Sequence, residues 1–374
     1  MRVLFVASIY RHLEFFHIPF MLLLKSKGYE VYAAAASDTF SRKELLKHGI
    51  PCYDIPFARS PLNAQNLKAL RELKTLIKEE DFDLIHVHTP VASLLTRFAY
   101  KKYGNGKIIY TAHGFHFYKG APLLNWLLYY PAEKSVVKWT DALITINNED
   151  YNRALNMGYK KENVYLVHGV GVEQNSLDEE VFDKKLYKQN LGLKENDLII
   201  SYIAEINENK NHRYLIGNWN KIKLKVPNSV LLIIGDGVLK EELEKKILAE
   251  EIEGIIFLGQ RNDVNKLLQI TDILSLLSYR EGLPKSIMEA MINKVPCIVS
   301  NTRGLRDLII HNENGYVVNQ NKNEELVNAF IKLLKDENTR RTMGEKSKEF
   351  IQPYLLKNVL EEYEEIYDEV LRNN

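Results

Sequence analysis

The segment Glu281-Gly-Leu-Pro-Lys-Ser-Ile-Met-Glu289 sets two carboxylates eight positions apart, with a Gly-Leu-Pro turn after the first and a helix-like stretch, Ser286–Met291, under the second. One carboxylate then stands in a loop and the other on the helix that follows. In a doubly wound α/β domain the loops at the carboxyl ends of the strands line the ligand crevice. A helix starting there turns backbone N–H groups outward, so a diphosphate could be held beside the pair. The competing reading is a solvated Glu281 and a surface-facing Glu289. His113, in Thr-Ala-His-Gly after an apolar run, is a second candidate, to be weighed against a structural histidine bonded to backbone. His86-Val-His88 and His113-Gly-Phe-His116 invite a metal reading. Adjacent strand positions face opposite ways, however, and no Cys or carboxylate set accompanies these histidines, so a zinc site is not expected. Asp81-Phe-Asp83 precedes an apolar run and reads as a cap or a solvated pair, not as an Asp-x-Asp metal motif. No obligatory divalent ion and no cofactor are expected.

The elements that must position these residues are legible as alternation. Short Val- and Ile-rich runs alternate with longer helical patterns, the mark of parallel sheets built from βαβ units. Strands are expected near Val3–Ala7, Val31–Ala35, Leu84–Val87, Ile108–Thr111, Ala142–Ile146 and Val164–Val167. A second set is expected near Leu198–Ala204, Val230–Ile234, Ile255–Leu258, Ile273–Leu276, Cys297–Ser300 and Tyr316–Val318. These runs are apolar without strict alternation, as strands covered on both faces are. At 374 residues the chain is long enough for two such domains, 1–170 and 183–354, joined through the polar, glycine-containing stretch Gly169–Lys185. The segment Leu355–Leu371 carries Val359, Tyr363, Ile366 and Val370 at helical spacing and reads as a terminal amphipathic helix.

With 50 Lys and Arg against 49 Asp and Glu, the net charge of +1 excludes a general nucleic-acid binder. Residues 1–170 nevertheless hold 22 basic against 15 acidic side chains, and the remainder is acidic. A basic half-chain favours an anionic partner such as a lipid diphosphate or a membrane surface, although dispersed solvated lysines give the same count. Cys52 and Cys297 stand far apart in apolar stretches, so neither a disulfide framework nor a thiolate metal site is implied, and a reducing cytosol is the simplest home. The start is strand-like and lacks a signal-peptide pattern; the apolar run Phe15–Leu24 is interrupted by His17 and Pro19 and is far short of a membrane span.

The Glu pair resembles the E-x7-E signature of the family 4 glycosyltransferases, and other segments match in order along nearly the whole chain. These are Ile203-Ala-Glu-Ile-Asn-Glu-Asn-Lys-Asn211, Ile233-Ile-Gly-Asp-Gly237, Phe257-Leu-Gly-Gln-Arg-Asn-Asp263, Gly304-Leu-Arg-Asp-Leu308 and Asn314-Gly-Tyr-Val-Val318. In the first half, Tyr110-Thr-Ala-His-Gly-Phe-His-Phe-Tyr-Lys-Gly120 is similar to the branch that builds capsular and exopolysaccharides. The resemblance implies the GT-B architecture, two Rossmann-like domains facing across a cleft, with the nucleotide-sugar donor on the C-terminal one and the acceptor on the N-terminal one. The last helix would pack back on the first domain. Glu289 would accept the ribose hydroxyls and Glu281 the donor sugar's hydroxyls. The peptide groups of Gly282, Leu283, Pro284 and Lys285, with Gly235, would line the donor, and Lys210 would pair with the departing diphosphate. His113 resembles the family's cleft histidine. Cations and N–H donors placed at a leaving diphosphate stabilise the transition state without a metal.

Two departures stand out. Many members have Gly-Arg where this chain has Ala204-Glu205, and a glutamate cannot replace that arginine; Lys210, Arg261 or Arg213 would have to serve instead. The glycine-rich loop after the first strand is replaced by Ser8-Ile-Tyr-Arg-His-Leu-Glu14, so the acceptor side is less well marked; Arg11, His17 and His116 are its candidates. Phe115, Phe117, Tyr118 and Lys119, followed by Leu123–Tyr130 with Trp126, read either as an interfacial patch for a polyprenyl carrier or as a core helix.

The expectation is a retaining transferase moving an N-acetylhexosamine-type sugar from a UDP donor to a polyprenyl-diphosphate-linked sugar, peripherally bound at the cytoplasmic face of the membrane. A UDP-N-acetylglucosamine 2-epimerase-like enzyme and a catalytically silent nucleotide-sugar-binding partner are the alternatives. A dehydrogenase or a P-loop hydrolase is disfavoured by the lack of G-x-G-x-x-G after the first strand and of any G-x-x-x-x-G-K-[ST].

Overall fold

The computed structural model describes residues 1–174 and 182–372. The chain divides into two compact units, Met1–Gly171 with Lys357–Asn374, and Val172–Leu356. Residues 175–181 of the expected connecting stretch lie outside the described residues.

The first unit is built on a seven-stranded sheet of β1 (Arg2–Ile9), β2 (Glu30–Ala36), β3 (Cys52–Asp54), β4 (Leu84–His88), β5 (Lys107–Ala112), β6 (Ala142–Thr145) and β7 (Val164–Leu166). The order is β3-β2-β1-β4-β5-β6-β7 and every pairing is parallel. The six expected strands are present with ends moved by a residue or two. β3 was not expected: it is three residues long, sits at the sheet edge between Pro51 and Pro56, and carries no apolar run. Alternation across β1 and β4 assigns the faces. Leu4, Val6, Ile85 and Val87 enter one apolar core, whereas Phe5, His86 and His88 point to the other face, where their rings meet.

That second face is covered by the helices Tyr10–Ser26 and Leu356–Arg372. The Phe20 and Tyr363 rings lie 4.4 Å apart. The Tyr367 hydroxyl is 2.9 Å from His86 Nδ1, and Lys27 bridges Glu364 and Asp368 at 2.9 and 2.7 Å. The long apolar stripe Val359, Tyr363, Ile366, Tyr367, Val370 thus belongs to the first sheet although it is encoded at the far end of the chain.

The second unit carries a six-stranded, all-parallel sheet: β8 (Leu198–Ile203), β9 (Ser229–Ile234), β10 (Ile255–Gly259), β11 (Ile273–Leu276), β12 (Cys297–Ser300) and β13 (Gly315–Val318), in the order β10-β9-β8-β11-β12-β13. In each sheet the connection reverses direction beside the first strand, between β1 and β4 and between β8 and β11. At such switch points adjacent loops part and leave room for a ligand. Among the described residues no helix is long and apolar enough to cross a membrane.

Candidate functional site

At the carboxyl end of β8 and β11 the loop 207–212 is laced to the loop 277–281. Tyr202, wholly buried, donates its hydroxyl proton to the Lys210 carbonyl and accepts from the Leu277 N–H at 2.7 Å. Asn209 donates to the Arg280 carbonyl at 2.9 Å and its own carbonyl accepts from the Tyr279 N–H at 2.9 Å. Asn211, in the left-handed region at φ 52°, reaches the Leu277 carbonyl at 3.3 Å. The effect is to hold Lys210 Nζ 2.5 Å from Glu281 Oε1, with Glu281 only 8% exposed. A second cation backs this carboxylate's residue: Arg303, 2% exposed, donates to the Glu281 carbonyl at 3.2 Å.

The glycines here are required for close approach. A Cβ on Gly304 (φ 74°) would stand 2.0 Å from the Gly282 carbonyl oxygen, and one on Gly235 (φ 141°) 2.0 Å from the Ala204 oxygen. Gly282 and Leu283 lead to Pro284, the N-cap residue of the helix Lys285–Ile292. Leu283 packs on the core of the unit, and Lys285 is exposed. Glu289 projects from the first turns of this helix, about a quarter exposed, with Lys285 Nζ at 3.9 Å; burial raises its carboxyl above the usual carboxylate range.

Glu205 is exposed after β8. Arg261 is held in a fork by Asp263 at 2.8 and 2.7 Å, with the Tyr187 hydroxyl on the same carboxylate, and Arg213 is tied to Glu208 and Glu242. Of the three cations considered for the missing arginine's role, Lys210 alone stands against Glu281. Tyr202, Asn209, His212 and Arg303 were not singled out from the sequence. The His212 ring packs tilted against Tyr202, centroids 4.4 Å apart, with both ring nitrogens buried and unpartnered, and desolvation pushes its pKa down to about 4. Arg303 had a signal, a lone arginine before glycine in the turn after an apolar run; Tyr202 is indistinguishable in sequence from any core tyrosine.

In the first unit His113 follows β5 and does not stand alone. Contrary to the expectation from spacing, four histidines converge at the carboxyl ends of β1, β4 and β5: His12 and His17 from the helix Tyr10–Ser26, His88 from β4, and His113. His88 lies two residues from His86 and so on the same face of its strand, and the helix lays its own pair over that face. His17 Nε2 is 3.3 Å from His12 Nε2, and His113 Nε2 is 3.3 Å from His88 Nδ1. The His17 and His88 rings stack at 3.7 Å. Burial pushes His12 down to about 4 and His17, His88 and His113 well below the ordinary histidine value.

His17 is fully buried and offers no surface to an acceptor, which corrects its acceptor-side reading: the helix turns it inward under His88. Arg11 is exposed, its guanidinium 5.3 Å from the Phe15 ring centre, and His116 stacks on Tyr129 at 4.7 Å. The aromatic segment divides. Phe115 and Phe117 are core, whereas Leu123, Leu124 and Leu127 on the helix Leu123–Val136 are 73%, 63% and 64% exposed. Asp83 accepts from the Arg2 N–H at 2.6 Å and so anchors the start of β1.

Comparison with known proteins identifies the family. Residues 22–170 match the family model Glycosyltransferase Family 4, and residues 183–350 match Glycosyl transferases group 1. The chain is 34% identical over 373 residues to the putative glycosyltransferase EpsD of Bacillus subtilis, covering 98% of this chain and 96% of that one. It is 29% identical over 276 residues (73% and 71% of the two chains) to UDP-Gal:alpha-D-GlcNAc-diphosphoundecaprenol alpha-1,3-galactosyltransferase of Escherichia coli. Among solved structures, Anabaena HepE in complex with UDP and glucose superposes with a TM-score of 0.80 over 99% of this chain and 100% of that one, at 18% identity. Two Rossmann-like parallel sheets, the E-x7-E segment and a full-length relative at this identity establish that the chain belongs to the family 4 glycosyltransferases, with the GT-B fold.

Proposed function

We propose that this glycosyltransferase moves a sugar of the N-acetylhexosamine type from a UDP donor onto a polyprenyl-diphosphate-linked sugar, with retention at the anomeric carbon, in the assembly of a surface polysaccharide. The observation that carries the reading is the Lys210–Glu281 pair at the switch point of the second sheet, with Glu289 on the helix that follows. The E. coli relative's name specifies a UDP-sugar and a diphosphoundecaprenol-linked acceptor, which supports the same classes of donor and acceptor here.

Cleavage of the sugar–phosphate bond builds negative charge on the leaving diphosphate and positive character on the sugar ring. Lys210, exchanging Glu281 for the diphosphate, stabilises the first. Glu281, released from the lysine, accepts hydrogen bonds from the donor sugar's hydroxyls and fixes its orientation, and Glu289 accepts from the ribose. The departing phosphate oxygen takes the acceptor hydroxyl's proton on the same face, so no covalent glycosyl-enzyme is formed. The N-terminal unit supplies the acceptor side, with His113 as its polar contact. The exposed Leu123, Leu124 and Leu127, flanked by Lys119 and Lys134, support peripheral contact with the cytoplasmic face of the membrane.

The test is a donor screen: purified protein, a panel of nucleotide sugars, and lipid extract containing polyprenyl-diphosphate sugars, with products identified by mass. A hexosamine-sized gain on the lipid with release of UDP is expected. Epimerised donor with no glycoside, or UDP binding without turnover on any acceptor, would overturn the proposal in favour of an epimerase or a silent binding partner.

A further inference from the structure

We propose that His12, His17, His88 and His113 together form a binding site for a divalent transition metal of the zinc class. The four rings come from three separate segments, and one ligand atom from each lies within 4.8 Å of all the others. A tetrahedral zinc with Zn–N bonds of about 2.0–2.1 Å has nitrogens about 3.3 Å apart along each edge. Two edges of the cluster already have that length: His12 Nε2 to His17 Nε2 and His88 Nδ1 to His113 Nε2, each 3.3 Å. Ring rotations bring in the rest, since the longest separation exceeds the ideal edge by about 1.5 Å.

The cluster does not satisfy itself. Four neutral imidazoles carry eight ring nitrogens, each a donor or an acceptor. The two contacts above account for four, and His17 Nδ1 and His88 Nε2, on the two most buried rings, are sealed from solvent with no protein partner. Buried polar nitrogens left unpaired are unfavourable, so the four rings are not brought together by a complete set of hydrogen bonds among themselves. Imidazole ligands in a tetrahedral set suit zinc and its first-row neighbours.

The surroundings act as an outer layer. His86 packs 4.2 Å from His88, but its own nitrogens are taken, Nδ1 by Tyr367 and Nε2 by Thr111 at 2.9 and 2.8 Å, so it braces the ligands without being one. Phe5 stacks against His88 on another side. His12 and His113 are partly exposed and give the ion its way in. Bound through Nε2, His113 keeps Nδ1 for the acceptor contact proposed above, so this inference does not depend on the transfer reaction, and its test reads the metal directly.

The full-length protein is stripped with a chelator, desalted, and equilibrated with Zn2+ or, as a spectroscopic probe, Co2+. Stoichiometric metal retained after desalting and the intense visible bands of tetrahedral cobalt are expected. His12→Ala, at the rim and least disruptive to the fold, and His88→Ala each lower the affinity by at least about tenfold, the effect already seen for outer-layer groups. His311→Ala, an exposed histidine of the other unit, leaves binding unchanged. The proposal is overturned by substoichiometric metal, by the weak bands of octahedral cobalt, or by retention that His12→Ala leaves intact; the cluster is then a packed group of neutral histidines that takes no ion. Circular dichroism of each variant keeps loss of metal distinct from loss of fold.

Discussion

Lys210 Nζ and Glu281 Oε1 stand 2.5 Å apart, and the two residues are held there by Tyr202, Asn209 and Asn211 through backbone contacts that do not involve either charged group. In the function proposed above this ion pair has to open for Lys210 to meet a diphosphate and Glu281 a sugar, and the backbone contacts keep both side chains at the same spot while it does.

The two partners differ in exposure, 21% for the Lys210 side chain and 9% for Glu281, so their removal has unequal consequences. Lys210→Ala strands the more buried charge and is expected to destabilise the second unit by up to about 3–5 kcal/mol, whereas Glu281→Gln frees a lysine that can turn to water and costs less. Thermal unfolding of both, with Lys210→Met/Glu281→Gln as the paired replacement, checks the order; equal losses would show that the pair carries no buried-charge penalty.

In the mechanism proposed above, Lys210→Ala removes a group whose interaction strengthens as the diphosphate leaves. A fall of about 100- to 1,000-fold in kcat/KM is expected, the size seen for a single preorganised charge-stabilising donor. Glu281→Gln should also slow transfer strongly while leaving UDP affinity near normal. Steady-state kinetics with the donor found in the screen decides, and near-normal kcat/KM for both variants would remove this pair from the site.

Glu289 carries a pH signature. Burial holds its carboxyl above the ordinary carboxylate range, with Lys285 opposing in part. The ionised form accepts hydroxyl hydrogen bonds, so UDP affinity should be full at neutral pH and fall as pH drops through the raised value. Stability runs the other way: the folded state holds this proton more tightly than the unfolded chain, so this group's contribution is fully present below the unfolded value and is lost as pH rises through the folded one. Calorimetric UDP titration across that window should show the slope in the native protein and a flat, weaker profile in Glu289→Gln.

Two glycine substitutions should have opposite signs. Gly304→Ala sets a Cβ 2.0 Å from the Gly282 oxygen at φ 74°, so the turn carrying Glu281 to Lys285 must shift; a loss above about 1 kcal/mol and weakened UDP binding are expected together. Gly217 is exposed in the helix His212–Lys225 with open space around it, and Gly217→Ala should stabilise by up to about 1 kcal/mol without touching binding. Denaturant unfolding with and without UDP measures both.

The membrane proposal rests on three leucines. Replacing Leu123, Leu124 and Leu127 by Asn should leave the melting temperature almost unchanged, since all are well exposed, and should lower co-flotation with anionic vesicles. Unaltered flotation would place the contact elsewhere.

What could be read from the sequence follows from how local its causes are. Twelve strands were legible because a strand buried on both faces must be apolar along its length, and β3 was not because three residues between prolines leave no such run. Glu281 and Glu289 were legible as a spacing within one segment. Tyr202, Asn209 and Arg303 were not, because their roles arise only when β8, β11 and β12 are brought side by side. The convergence of the histidines was not legible for the same reason: His12, His88 and His113 lie far apart in the chain, and their meeting is a property of β1, β4 and β5 being neighbours with one helix laid across them.

The helix Leu356–Arg372 closes the first sheet over β4 through Tyr363 and Tyr367, yet more than 180 residues of the second unit are translated before it. On the ribosome the first sheet is thus begun before the second unit is made and finished after it. Until the final turns emerge, the face bearing Phe5, His86 and His88 has only one of its two covering helices. A nascent chain in that interval presents apolar surface to chaperones and proteases, and pulse-labelled intermediates should lose protease sensitivity in the N-terminal region only when synthesis passes Tyr367.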